Sequence, residues 1–134
     1  MLPLFLVEDD PLMSRMYEKA LKANGFDVRM AYDGEEAINI LKTIDPKPIM
    51  VVLDVMMPKK SGFDVLRFIK SDEKLKDIPV VLLTNLSGDG DAQKGLDLGA
   101  ELYLIKSDYT PREIVNQIKE ISADYTTKRK HTKS

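Results

Sequence analysis

Five short apolar runs punctuate the chain: Leu4–Val7, Asp27–Ala31, Ile49–Leu53, Val80–Leu83 and Leu102–Ile105. The stretches IMVVLD and PVVLLT are apolar without alternation, the pattern of strands covered on both faces. Between the runs lie amphipathic helix patterns with clear punctuation. The first predicts a helix capped by Asp10, with Pro11 in its first turn, apolar Met13, Met16, Tyr17, Ala20 and Leu21, and a stop at Gly25. The second begins near Asp33 and repeats apolar residues at Ala37, Ile38, Leu41 and Ile44. The third opens with Ser61 and Asp64, a weak relative of the capping box, and buries Phe63, Leu66 and Ile69. The fourth is the least regular, weakened by Gly88, Gly90 and Gly95 and ended by Gly99. The fifth carries Thr110 with Glu113 as a capping box, Pro111 in its first turn, and a stripe of Ile114, Ile118 and Ile121.

Strand and helix thus alternate through five β–α units. Parallel strands joined by right-handed crossovers follow, which predicts a three-layer α/β sandwich. The length of 134 residues suits one domain with one core. There is no internal repeat and no linker to a second domain. The domain is expected over residues 1–123; residues 124–134, DYTTKRKHTKS, are polar and basic and are expected to fray.

Composition removes several function classes. The formal net charge of -2 gives no bulk field toward nucleic acid or membrane. No cysteine is present, so there is neither a disulfide framework nor a thiolate metal site. The single histidine, His131, lies in the polar tail, which argues against histidine-based catalysis or a zinc centre. No apolar run is long enough to span a membrane and no signal-peptide pattern opens the chain, so a cytoplasmic protein is expected.

Chemistry collects where the strands end. The first strand runs into Glu8, Asp9 and Asp10, the third into Asp54, the fourth into Thr84 and the fifth into Lys106. Ligands of open parallel sheets bind beyond these ends. Adjacent carboxylates repel unless a cation, a proton or solvent separates them. Asp9 and Asp54, with a backbone carbonyl and waters, make an oxygen-only site suited to Mg2+. Lys106 adds a fixed positive charge and Thr84 a hydroxyl, a combination that favours a phosphoryl group. Asp54 is then a candidate nucleophile. Taken singly, each residue has a plainer role: Asp54 and Asp10 as caps, Thr84 as a strand former, Lys106 as a surface lysine, Tyr103 as packing, the methionines as core filler.

Four motifs, LVEDD, VVLDVMMPKKSG, VVLLTN and LYLIK, occur in an order and spacing that resembles the receiver domain of two-component response regulators, the CheY-like superfamily, over Leu4 to Ile121. The resemblance implies a doubly wound (βα)5 sandwich with strand order 2-1-3-4-5. It implies that Asp54 accepts a phosphoryl group, that Thr84 and Lys106 bind its oxygens, and that Mg2+ is held by Asp9, Asp54 and the main-chain carbonyl of Met56, with Glu8 acting through water. Tyr103 matches the switch aromatic, drawn inward with Thr84, and Pro58 and Gly62 match turn residues of the loop after the acceptor. The partners implied are a sensor histidine kinase or phosphotransfer protein, and a downstream effector at the surface of the fourth helix, fifth strand and fifth helix. No membrane or direct nucleic-acid contact is implied for this domain, and a homodimer is compatible. On this reading the chain is a signalling phospho-acceptor and not a turnover enzyme. The rivals are a Mg2+-dependent phosphohydrolase with an aspartyl nucleophile, for which no cap insertion is present, and a degenerate receiver serving only as an interaction module. Ser107 stands where the family usually has proline. Either the Lys106–Ser107 bond is trans, or the site carries the cost of about 3 kcal/mol of a cis bond without proline. Asn85 is bulkier than the usual residue beside the threonine, and Lys60 and Ser61 also depart from common choices.

Overall fold

The computed structural model describes residues 2–86 and 88–132, excepting the side chains of Asp89 and of residues 125–132. Its strands are β1 (Leu2–Val7), β2 (Phe26–Ala31), β3 (Met50–Leu53), β4 (Val80–Thr84) and β5 (Leu102–Ile105). They form one parallel sheet in the order β2-β1-β3-β4-β5. The helices are α1 (Pro11–Ala23), α2 (Gly34–Leu41), α3 (Gly62–Ser71), α4 (Asp89–Asp97) and α5 (Pro111–Thr132). The architecture is the expected doubly wound sandwich.

Alternate side chains of the strands feed two cores. Phe5, Val7, Val51, Leu53, Val80 and Leu82 face Ala37 and Leu41 of α2 and Val65, Leu66 and Ile69 of α3. Leu4, Leu6, Met50, Val52, Val81 and Leu83 face Tyr17 and Leu21 of α1 and Ile114, Val115 and Ile118 of α5. The central strands are buried on both sides, which is why they lack polar alternation.

The helix punctuation works as the sequence indicates. Asp10 accepts from the amides of Leu12 and Met13, and Gly25 follows the α1 cap at φ 92°, a conformation that suits glycine. Ser61 and Asp64 form a complete capping box, stronger than the weak version expected. Thr110 and Glu113 exchange both bonds of theirs. Two expectations change. α2 stops at Leu41, and Ile44, though at helical spacing, packs onto the core from the following loop. Methionine mostly fills the cores as expected, with Met50 fully buried and Met13, Met30 and Met57 packed partly buried against them, whereas Met16 and Met56 are exposed. α5 runs to Thr132 and so extends into the segment expected to fray; no glycine or proline follows Pro111 to break it. The rest of the tail reading lies outside the described residues. Among the described residues no helix is long and apolar enough to cross a membrane.

Candidate functional site at the strand ends

Parallel strands leave their carboxyl ends on one edge, and the chain places its ionisable residues there. Glu8 follows β1 and is 2% exposed; its amide donates to Ala31 O, so β2 helps fix it. Asp54 follows β3, is 6% exposed, and its amide donates to Val7 O. Thr84 ends β4 fully buried. Lys106 begins a short 3-10 turn after β5. Two buried carboxylates from separate strands would repel strongly at low dielectric. Lys106 resolves this: its Nζ donates to Asp54 Oδ2 at 2.9 Å and to Glu8 Oε1. The lysine side chain is only 8% exposed.

Electrostatics follow from that arrangement. Burial pushes the Glu8 carboxyl up to about 7, even though Lys106 pulls it back. Burial alone would depress Lys106, but its bonds and charge contacts with Glu8 and Asp54 outweigh this and raise it above its ordinary value. The remaining oxygens are also held. Asp10 N donates to Glu8 Oε2 at 3.1 Å, and Met56 N to Asp54 Oδ1 at 3.2 Å.

Glu8, Asp9 and Asp54 each bring a carboxylate oxygen within 4.8 Å of the others. An oxygen-only, acidic donor set fits a hard divalent cation such as Mg2+ and does not suit a soft metal. Thr84 Oγ1 accepts from Leu86 N at 3.3 Å, and Tyr103 donates its hydroxyl to Leu86 O at 2.6 Å. One short loop thus links Thr84 to Tyr103, which is half-buried. The Lys106–Ser107 bond is trans; among the described residues the cis bond is Asp45–Pro46.

The structure therefore brings together Glu8, Asp9, Asp54, Thr84 and Lys106, with Met56 beside Asp54 and Tyr103 one loop away. Direct pairing of Glu8 with Lys106 was not anticipated, because nothing local connects residues 98 positions apart. Two residues of α1 have surroundings that the helix pattern does not convey, Tyr17 being legible only as part of the apolar stripe. Tyr17, nearly buried, feels the charges of Lys106, Glu8 and Asp54, and its phenol is raised chiefly by burial. Ser14 is 1% exposed and, among the described residues, its hydroxyl has no hydrogen-bond partner. The signal for both was polarity at helical positions facing the sheet. Asn85 is exposed.

Comparison with known proteins agrees with this geometry. The family described as "Response regulator receiver domain" matches residues 4–119. Transcriptional regulatory protein CpxR of Escherichia coli K12 is 37% identical over 118 residues, covering 88% of this chain and 48% of that protein. The probable transcriptional regulator ycf27 of Porphyridium aerugineum is 36% identical over 118 residues, covering 88% and 47%. The chain thus spans about half the length of the curated relatives it matches. Among solved structures, the Mn2+-bound form of response regulator Rcp1 superposes with a TM-score of 0.78 at 30% identity, covering 92% of this chain and 93% of that one. With strand order, acidic edge and family match in agreement, the chain belongs to the response regulator receiver domains.

Proposed function

We propose that Asp54 is the phospho-acceptor of this receiver. The observation that carries the reading is the Lys106 ammonium bridging Asp54 and Glu8 inside a buried acidic edge. A carboxylate held by a lysine and a backbone amide is fixed in place, and the same lysine is poised for an incoming dianion. Transfer from a phosphohistidine breaks a P–N bond and forms an O–P bond to Asp54, and the departing imidazole takes a proton from solvent. Lys106 then turns part of its charge to the phosphoryl oxygens, and the Thr84 hydroxyl donates to another. Glu8, Asp9, Asp54 and the carbonyl of Met56 would hold Mg2+. When bound, the ion neutralises charge on the phosphoryl oxygens and relieves carboxylate repulsion.

Drawing Thr84 toward the phosphate pulls on Leu86 and hence on Tyr103. A local charge change so biases the α4–β5–α5 surface, where we place the downstream effector. The donor is a sensor histidine kinase or phosphotransfer protein, the setting cytoplasmic, and the domain catalyses only its own phosphorylation and dephosphorylation. It occupies residues 1–123, with 124–134 as a basic extension that does not itself bind nucleic acid. A homodimer is compatible with this surface. The test is mass spectrometry after incubation with a small phosphodonor and Mg2+. Wild type should gain one phosphoryl group and Asp54→Asn none; a group retained by the variant would overturn the assignment.

A further inference from the structure

We propose that Gly34, at the start of α2 and outside the acidic edge, is a positioning residue for Asp54, acting through the loop that follows it. The inference rests on Asp54 being the acceptor. The loop runs from Val55 to Ser61 and is closed at its far end by Gly62, whose amide donates to Val55 O at 2.8 Å. A Cβ on Gly62 would overlap the Asp54 carbonyl, so this end is pressed against the acceptor's own backbone. At its near end Met56 N holds Asp54 Oδ1 at 3.2 Å. Any shift of the loop therefore reaches the acceptor carboxylate directly.

Gly34 sets where the loop can lie. A Cβ there would overlap the Lys60 carbonyl oxygen and come within 2.7 Å of Lys60 Cβ. The obstacle is backbone, so no side-chain rotation relieves it. Lys60 cannot retreat freely, because its amide donates to Pro58 O at 2.9 Å and the preceding Lys59 sits at φ 71°. Asp33, which caps α2 through Glu36 N at 2.7 Å, also lies 3.8 Å from Lys59 Nζ. The start of α2 and the acceptor loop are thus fitted to each other over two successive residues on each side. Glycine is a poor residue for a first helical turn on propensity alone. The close approach supplies the reason for it.

The experiment compares the full chain as wild type, Gly34→Ala, Asp33→Asn and Gly90→Ala, the last a glycine with open space around it. Rates with phosphoramidate are measured across Mg2+ concentrations and corrected for folded fraction from circular dichroism. Amide hydrogen exchange is followed at Met56 and Lys60. Gly34→Ala should raise the Mg2+ half-saturation and lower the maximal rate, together by roughly tenfold or more per folded molecule, and speed exchange at both amides. Asp33→Asn keeps a cap oxygen for Glu36 and removes only the charge facing Lys59. It should fold normally and slow the reaction about twofold, which keeps the idea testable if the alanine variant does not fold. Gly90→Ala should leave all readouts unchanged. Unaltered rate per folded molecule and unaltered exchange in Gly34→Ala, or in Asp33→Asn if only that folds, would overturn the inference. A wild type that takes no phosphoryl group would instead overturn the acceptor assignment, while the exchange data still decide whether Gly34 holds the loop.

Discussion

Replacing Lys106 by methionine removes the charge that lets two carboxylates stay buried while keeping side-chain length nearly constant. The Lys106, Glu8 and Asp54 side chains are 8, 2 and 8% exposed. Deleting one partner of a buried ion pair leaves uncompensated charge and costs about 3–5 kcal/mol. The lower end applies here, because Glu8 can take up a proton: burial already places it at about 7, and loss of the lysine moves it higher. At about 3 °C per kcal/mol for a domain of this size, the metal-free variant should melt roughly 10 °C below wild type near pH 8. A carboxyl that binds its proton more tightly in the fold contributes stability that is complete below its unfolded pKa, 4.5, and lost as pH rises through its folded value. Lys106, raised above 10.5, contributes stability that is complete below that value and is lost only as pH climbs past it. Between about pH 5.5 and 8 the lysine is therefore constant while Glu8 titrates, so the deficit of the variant should shrink toward the acid end. Circular dichroism melts in a chelating buffer at both pH values measure this. Equal melting temperatures near pH 8, or a deficit that grows on acidification, would refute the view that Lys106 compensates these two groups.

Asp9→Ala should lose Mg2+ binding by calorimetry while apo stability stays level or rises, since one member of a repelling set is gone; a clear drop in apo melting temperature would make Asp9 structural. The phosphorylated state should be long-lived, because Met56 and Leu86, two places after Asp54 and Thr84, are apolar and orient no water. The double variant Met56→Asn, Leu86→Glu should decay roughly tenfold faster, equivalent to about 1.4 kcal/mol of barrier, and equal decay rates would sink the idea. Ser14→Ala removes a buried, unpartnered hydroxyl and should stabilise the fold by up to about 1 kcal/mol in urea titrations; a loss of stability would point to a partner for that oxygen.

Strand positions and helix starts were legible because each rests on local chemistry: apolar runs for two-sided burial, Asp10–Pro11 and Thr110–Pro111 for the caps. The members of the acidic edge were legible too, since parallel topology alone carries strand ends to one side. What local pattern does not contain is pairing across distance. Ile44 has helical spacing yet reaches the core from a loop, because α2 ends at Leu41. Met16 shares a stripe with buried Tyr17 but sits at its margin, 36% exposed. Gly34 reads as a weak helix residue until Lys60 is seen against it. The Lys106 bridge belongs to the same class, as a contact between two ends of the chain.

That bridge has a consequence for how the domain comes into being. Glu8 and Asp54 leave the ribosome early, whereas the lysine that compensates them lies 98 and 52 residues later. A chain synthesised only as far as β4 has both carboxylates but not Lys106, so closing the acidic edge is unfavourable until β5 docks. Long-range pairings of this kind form late for reasons of chain entropy as well. Competence to accept a phosphoryl group should therefore arrive with the last strand and not before. In refolding experiments, labelling of Asp54 by a small phosphodonor is expected to lag behind recovery of helical signal. A receiver that has not yet gained Lys106 is thus expected to stay silent for want of that charge.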